Sequence, residues 1–236
     1  MGRADRSRVR QLVTRGMGPT LGGKRAMRAA KIFGVVATVV AAGMMASLVE
    51  AQNRPASTRG HTATQLGGSY NDEGRYEGGN WIDIHYGRPI LRGRQGIFGE
   101  GAEYAQGIYA GAPLWRVGAD QTTTFTTEAD LLIGGQRLAA GEYTMFADLG
   151  NPTAWTLIFT TWGVKQQFRE DNPNALWGAY GYDDSKDVMR TTMSVETVEY
   201  SMDQLQVGFV DMTQQGGAMY VLWDNQLATV PIQLAN

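Results

Sequence analysis

The chain has 236 residues, with 21 Lys and Arg against 23 Asp and Glu, and no cysteine. The missing cysteine excludes a disulfide scaffold, a thiolate-ligated zinc or iron–sulfur site and a cysteine nucleophile. The near balance of charge hides a split: residues 1–31 carry nine basic and one acidic side chain, whereas the part after Ala51 carries 12 basic and 21 acidic ones, and so acidic a body argues against nucleic-acid binding, which needs a basic face to neutralise phosphates.

In chain order, the first element is the uncharged run IFGVVATVVAAGMMASLV from Ile32 to Val49, preceded by Lys24, Arg25, Arg28 and Lys31. It predicts one N-terminal apolar helix, with two readings. As an export signal it is cut after Ala51, because Val49 and Ala51 offer small or β-branched residues at the −3 and −1 positions and Gln52 then comes first. As an uncleaved anchor, its length at ~1.5 Å per residue is about 27 Å, just short of a ~30 Å hydrocarbon core, and the membrane becomes a partner through residues 32–49. Met27 is an alternative start that gives a signal of ordinary length. Both readings put the body outside the cytoplasm, in the periplasm, either released or tethered to the inner membrane. Residues 52–68 are polar and lack an apolar period, so they are expected as a flexible linker, with one domain over 69–236.

That domain reads as all-β. Ile82, Ile84 and Tyr86 alternate with Trp81, Asp83 and His85; Trp155, Leu157 and Phe159 alternate with Thr156, Ile158 and Thr160. Leu205, Val207 and Phe209 repeat the pattern, as do Val230, Ile232 and Leu234. A period of two puts one face of each strand on a core. Gly134-Gly135, Gly141, Asn151-Pro152 and Gly216-Gly217 punctuate the strands, and Asp224-Asn225 is expected as a two-residue hairpin loop. Pro231 marks an edge or an interruption of the last strand. Many short strands without βαβ alternation predict an antiparallel β-sandwich or flattened barrel. Two segments, Gly96–Leu114 and Trp162–Asp187, break the spacing and are rich in aromatics, which argues for ordered rather than disordered loops.

Several separated motifs occur in a recognisable order: Tyr86-Gly87-Arg88-Pro89, Arg92-Gly93-Arg94, Ile97-Phe98-Gly99, Leu114 to Asp120, Thr123-Thr124-Phe125, Ile133-Gly134-Gly135, Ala140 to Thr144, Trp155, Asp187-Val188 with Arg190, and Val230-Pro231-Ile232. Over about residues 80–234 the chain resembles the bacterial family domain of unknown function 2911. The resemblance implies a β-rich fold in a secreted or envelope protein and carries no chemistry with it. In two places the chain departs from the pattern: Asp120-Gln121 replaces the Asn-Glu that follows Gly-Ala in the family, and Glu103–Pro113 is longer, as a specialised partner surface would be.

The candidate residues each have two readings. Arg88, Arg92, Arg94 and Arg116 are either an oxyanion clamp, since guanidinium forks bind carboxylate or phosphate in pairs, or braces for turns through Asp83, Asp120 or Glu128. His85, the lone histidine of the expected fold, shares a strand face with Asp83 but has no partner set for a triad or metal site. No Ser sits in a Gly-x-Ser-x-Gly elbow. Asp183-Asp184-Ser185-Lys186-Asp187 lacks calcium-loop spacing and reads as a solvated loop. Tyr104, Tyr109, Trp162, Trp177, Tyr180 and Tyr182 either form a sugar-stacking or protein-docking surface or cap the open ends of the sandwich and finish its core. No catalytic residue, cofactor or metal is expected. The leading expectation is a non-catalytic binding or assembly module of the cell envelope, a subunit of a membrane-associated complex whose partners are other envelope or membrane proteins. The alternative is an enzyme acting on an anionic or carbohydrate substrate, which requires Arg88, Arg116, Asp83 and His85 to share one pocket.

Overall fold

Thirteen residues of strand β1 (Thr58–Tyr70) pair antiparallel with β2 (Tyr76–Arg88), His61 standing opposite His85 and Leu66 opposite Asn80. These strands come from a computed structural model that describes residues 55–235. The apolar segment Ile32–Val49, the cleavage position after Ala51 and the start of the expected linker lie outside the described residues. The linker expectation fails from Thr58 onward. Strand β1 lies at the edge of the sheet, and only Gly60 and Leu66 along it are buried, so it carries almost none of the apolar period that marks a strand in sequence.

The remaining strands are β3 (Thr123–Thr127), β4 (Leu131–Ile133), β5 (Gln136–Leu138), β6 (Gly141–Asp148), β7 (Ala154–Thr160), β8 (Gly163–Val164), β9 (Ala175–Leu176), β10 (Asp187–Val210) and β11 (Gly216–Leu234). Nine of the eleven strands form one antiparallel sheet in the order β1-β2-β3-β6-β7-β10-β11-β4-β5, and β8 and β9 make a small parallel pair. Strand β10 is long enough to serve two neighbours. Asp187–Ser194 pairs with β7, and Ser194–Val210 pairs with β11 through two register shifts between Thr197 and Gln206. Such bulges bend a strand and raise its twist. Asp224 lies at this bend with φ 51°. The Asp224-Asn225 pair therefore supplies a bulge inside β11 and not the hairpin loop expected of it: the residue types that tolerate positive φ in a turn tolerate it equally in a bulge. The β4–β5 hairpin is as expected, with Gly134 and Gly135 at φ 56° and 80°, the values a type I′ turn requires. At Pro231, β11 leaves β10 and takes up β4.

The bend returns β10 to the other end of the sheet. Ile90 bridges Gln204, Leu91 N–H donates to Asp203 O at 2.7 Å, and Leu205 N–H donates to Pro89 O at 3.0 Å. The Tyr86 hydroxyl accepts from Val207 N–H at 3.1 Å. The sheet thus wraps one core, in which Leu66, Ile82, Ile84, Phe125, Trp155, Leu157, Phe159, Leu205 and Val230 are buried. Segment 96–114, with a short helix α1 (Gln106–Tyr109), seats Phe98 in this core: its ring stacks on Trp155 at 5.5 Å and meets Trp115 and Trp223 edge-on at 6.3 Å each. Segment 162–187 covers the outer face of β6 and β7, where Phe146, Ile158, Trp162, Leu176 and Ala179 form a second buried cluster. That cover explains why Ile158 and Thr160 are buried although they alternate with inward residues.

Candidate functional site: the outer face of the β1–β2 hairpin and the loop aromatics

Odd-numbered residues of β2 point outward, so Asp83 and His85 share the outer face with His61 of β1. His61 Nε2–H donates to Asp83 Oδ1 at 2.7 Å, and the His61 and His85 rings stack at 4.3 Å with planes 9° apart. One potential ligand atom from each of the three residues lies within 4.8 Å of the other two. Burial, then the adjacent His61 and Arg59, hold His85 below the usual imidazole range, against a smaller opposite pull from Asp83; at neutral pH it is the uncharged, electron-pair-donating form. His85 also lines a groove of about 620 Å³ with Thr124, Thr126, Glu142 and Gln166. The expectation of no metal-ligating cluster rested on His85 being the fold's lone histidine. With β1 in the sheet, it gains a partner that the linker reading had removed, and the signal that could have found it was the Thr58–Thr64 run of β-favouring threonines flanking His61.

The arginines do not form a clamp. Arg88 points inward, packed over Gly60 and Tyr86, and its Nε is buried without a partner. Arg92 donates to Ala56 O at 2.8 Å, and Arg94 donates to Leu91 O and Ile90 O at 3.0 and 2.9 Å. Arg116 donates to Asp120 O at 2.8 Å and lies 5.4 Å above the Tyr180 ring. Arg94 and Arg116 do line one cleft of about 630 Å³. Asp83 and His85 face the opposite side of β2 from Arg88, so the four residues that the enzyme alternative needs do not converge.

Most loop aromatics spend their polar atoms inside the fold. Tyr104 accepts from Trp155 Nε1–H at 2.9 Å. The Tyr109 hydroxyl donates to Asp148 at 3.0 Å and accepts from Leu149 N–H at 2.6 Å, and burial above all pushes it up to about 12. Trp162 donates to Asp183 O at 3.1 Å beneath Lys186, 4.0 Å from its ring. Tyr182 donates to Asp187, which also takes Arg190; burial first, then Asp187, raises its hydroxyl far above the ordinary range. The Asp183–Asp187 run is occupied likewise, Asp183 accepting from Ser185 N–H at 3.0 Å. Two aromatics remain outward, with half-buried Trp177 between them. Phe168 is 63% exposed and meets Trp177 edge-on at 6.4 Å; Trp177 bridges Tyr180, which is 40% exposed under Arg116. The Tyr180 hydroxyl donates to Ala110 O at 3.0 Å, so the two long segments meet at this patch.

A family match spans residues 72–232. The chain belongs to the family described as protein of unknown function, DUF2911. No curated protein and no solved structure matches the chain. The DUF2911 motifs are spent on backbone architecture. A Cβ at Gly87 would overlap the carbonyl oxygen of Ala119, Ala119 N–H donates to Gly87 O at 3.3 Å, and a Cβ at Gly118 would lie 2.9 Å from that same oxygen. The Tyr-Gly-Arg-Pro and Leu-Trp-Arg-Val-Gly-Ala segments cross backbone to backbone, which only Gly permits. Val117 in that crossing holds φ 47° while fully buried, a conformation costing about 1–3 kcal/mol that its surroundings must enforce.

Proposed function

We propose that this DUF2911 protein is a non-catalytic binding or assembly module of the cell envelope, carried outside the cytoplasm by its N-terminal apolar segment as a subunit of a membrane-associated complex. The observation that carries the reading is the Phe168–Trp177–Tyr180–Arg116 patch. Aromatic and Arg side chains concentrate at the energetic centres of protein interfaces, and here Phe168 and Tyr180 lie outward, with half-buried Trp177 between them and Arg116 over Tyr180, while the other aromatics of segment 162–187 are committed to the fold. The partner is a protein offering apolar side chains beside a carboxylate for Arg116. Among the described residues no helix is long and apolar enough to cross a membrane; the tether proposed here is the apolar segment 32–49.

The test is co-purification from native membranes in mild detergent. Phe168→Ala with Trp177→Ala should weaken capture of the partner while thermal unfolding of the body stays cooperative. Undiminished capture by the folded double variant refutes the assignment of the surface. Mass spectrometry of the native N-terminus decides the tether: sequence before Ala51 means an anchor, and Gln52 first means release.

A further inference from the structure

We propose that His61, Asp83 and His85 bind one divalent transition-metal ion of the zinc and copper class on the outer face of the β1–β2 hairpin. The whole chain has two histidines and no cysteine, and both histidines stand directly opposite each other in the register of adjacent strands. Asp83 lies two positions before His85, hence on the same face, and already touches His61 at 2.7 Å. Two imidazole nitrogens and a carboxylate oxygen suit zinc, copper or nickel, whereas calcium and magnesium take all-oxygen shells.

Donors on one tetrahedral zinc lie about 3.3 Å apart, given bond lengths near 2.0–2.1 Å. The three ligand atoms here are within 4.8 Å of one another, so closure is a matter of χ rotation and not of backbone movement. The side chains are free to make it, His61 being 51% and Asp83 35% exposed. The paired strands hold the Cα atoms rigid, so little ordering of the backbone opposes binding. The ion takes the place of the hydrogen bond between His61 Nε2 and Asp83, the neutral imidazole then carrying its proton on Nδ1. Three protein ligands leave at least one position for water, on the side of the groove lined by Thr124, Thr126 and Glu142. Arg59 opposes the cation: it lies two positions before His61 on β1, hence on the same outer face, and it is the basic group that limits affinity.

The experiment uses the untagged full-length chain in mild detergent, titrated with Zn²⁺ alone by calorimetry and loaded with one equivalent of Cu²⁺ for electron paramagnetic resonance. One Zn²⁺ per chain is expected, with the dissociation constant raised at least roughly tenfold, the lower bound even for outer-sphere partners, in His61→Gln, His85→Asn and Asp83→Asn. The Cu²⁺ spectrum should carry superhyperfine splitting from two imidazole nitrogens, which no other pair of residues in this chain can supply. Arg59→Gln should tighten binding, a gain that misfolding cannot produce. Near-UV circular dichroism matching the parent's confirms that each variant is folded. Absence of heat up to millimolar Zn²⁺, or unchanged Zn²⁺ binding in the folded His61→Gln His85→Asn double variant, overturns the site.

Discussion

Truncating Phe98 to Ala tests whether segment 96–114 is part of the core or a loop laid over it. Phe98 is 4% exposed and contacts three tryptophans and Tyr104 through ring centroids at 5.5–6.5 Å. Phe→Ala changes in cores cost about 3–5 kcal/mol, the spread depending on how far the site collapses. Here the flanking Gly96, Gly99 and Gly101 all hold positive φ, so the segment can settle partway into the void. The lower end, about 3 kcal/mol, is therefore expected, or a fall in melting temperature of about 6–12 °C for a body of this size. Phe98→Leu retains most of the volume and should cost about half as much. Urea unfolding followed by tryptophan fluorescence is the assay, since Trp115, Trp155 and Trp223 surround the ring and report its loss directly. A Phe98→Ala protein within about 1 kcal/mol of the parent, the level of an ordinary surface change, would refute the anchoring, and with it the conclusion that Tyr104 and Tyr109 are held for structure and not for docking.

Three further outcomes follow from the same geometry. Tyr86→Phe removes the acceptor of Val207 N–H where the sheet closes, and leaving that buried donor unpaired should cost about 1–3 kcal/mol in urea unfolding; no change would mean that the closure is held elsewhere. Gly87→Ala drives a Cβ into Ala119 O and should abolish the cooperative transition, whereas Gly93→Ala, with open space around it, should cost only about 1 kcal/mol for its positive φ. The Tyr109 hydroxyl is pushed up to about 12 by burial foremost, against about 10 in an unfolded chain; its contribution is complete below pH 10 and is lost as pH rises from 10 towards 12, so Tyr109→Phe should flatten the alkaline fall in melting temperature and lower stability near neutrality through the orphaned Leu149 N–H.

The strands that the sequence announced are those with one buried face and one open face. Ile82, Ile84 and Tyr86 are 1%, 0% and 4% exposed, and the alternation that places them there is visible in eight residues. Strand β7 was legible for the same reason on its inward face only; its outward Ile158 is buried by Trp162, Leu176 and Ala179 of the segment that follows, which a local period cannot register. Strand β1 was illegible because it lies at the sheet edge and its pairing with β2, rather than burial, defines it. That single loss propagated. Assigning His61 to a linker left His85 alone, and a lone histidine carries no chemistry. The loop aromatics were ambiguous because composition gives ring count but not hydrogen-bond partners: Tyr109 and Tyr180 look alike in sequence, yet one is fixed between Asp148 and Leu149 and the other lies outward under Arg116.

The family signature and the candidate chemistry occupy different parts of this chain. Gly87, Trp115, Val117 and Gly118 make the crossing that ties segment 114–120 to β2 and to β6, Ala119 N–H donating to Gly87 O, and Trp115 N–H to Ala147 O at 2.9 Å, so these motif residues serve the fold and leave the surface free to vary. The match begins at residue 72, after β1 has ended. It includes Asp83 and His85 but not His61, and it includes the patch residues Phe168, Trp177 and Tyr180. Docking through the patch is therefore compatible with a role shared across the family, whereas the metal site requires what this chain's own first strand adds. A chain shortened to residue 72 would separate the two: it should lose the two-nitrogen copper signal and, if it remains folded, keep the aromatic patch, because β1 contributes to the core little beyond Leu66.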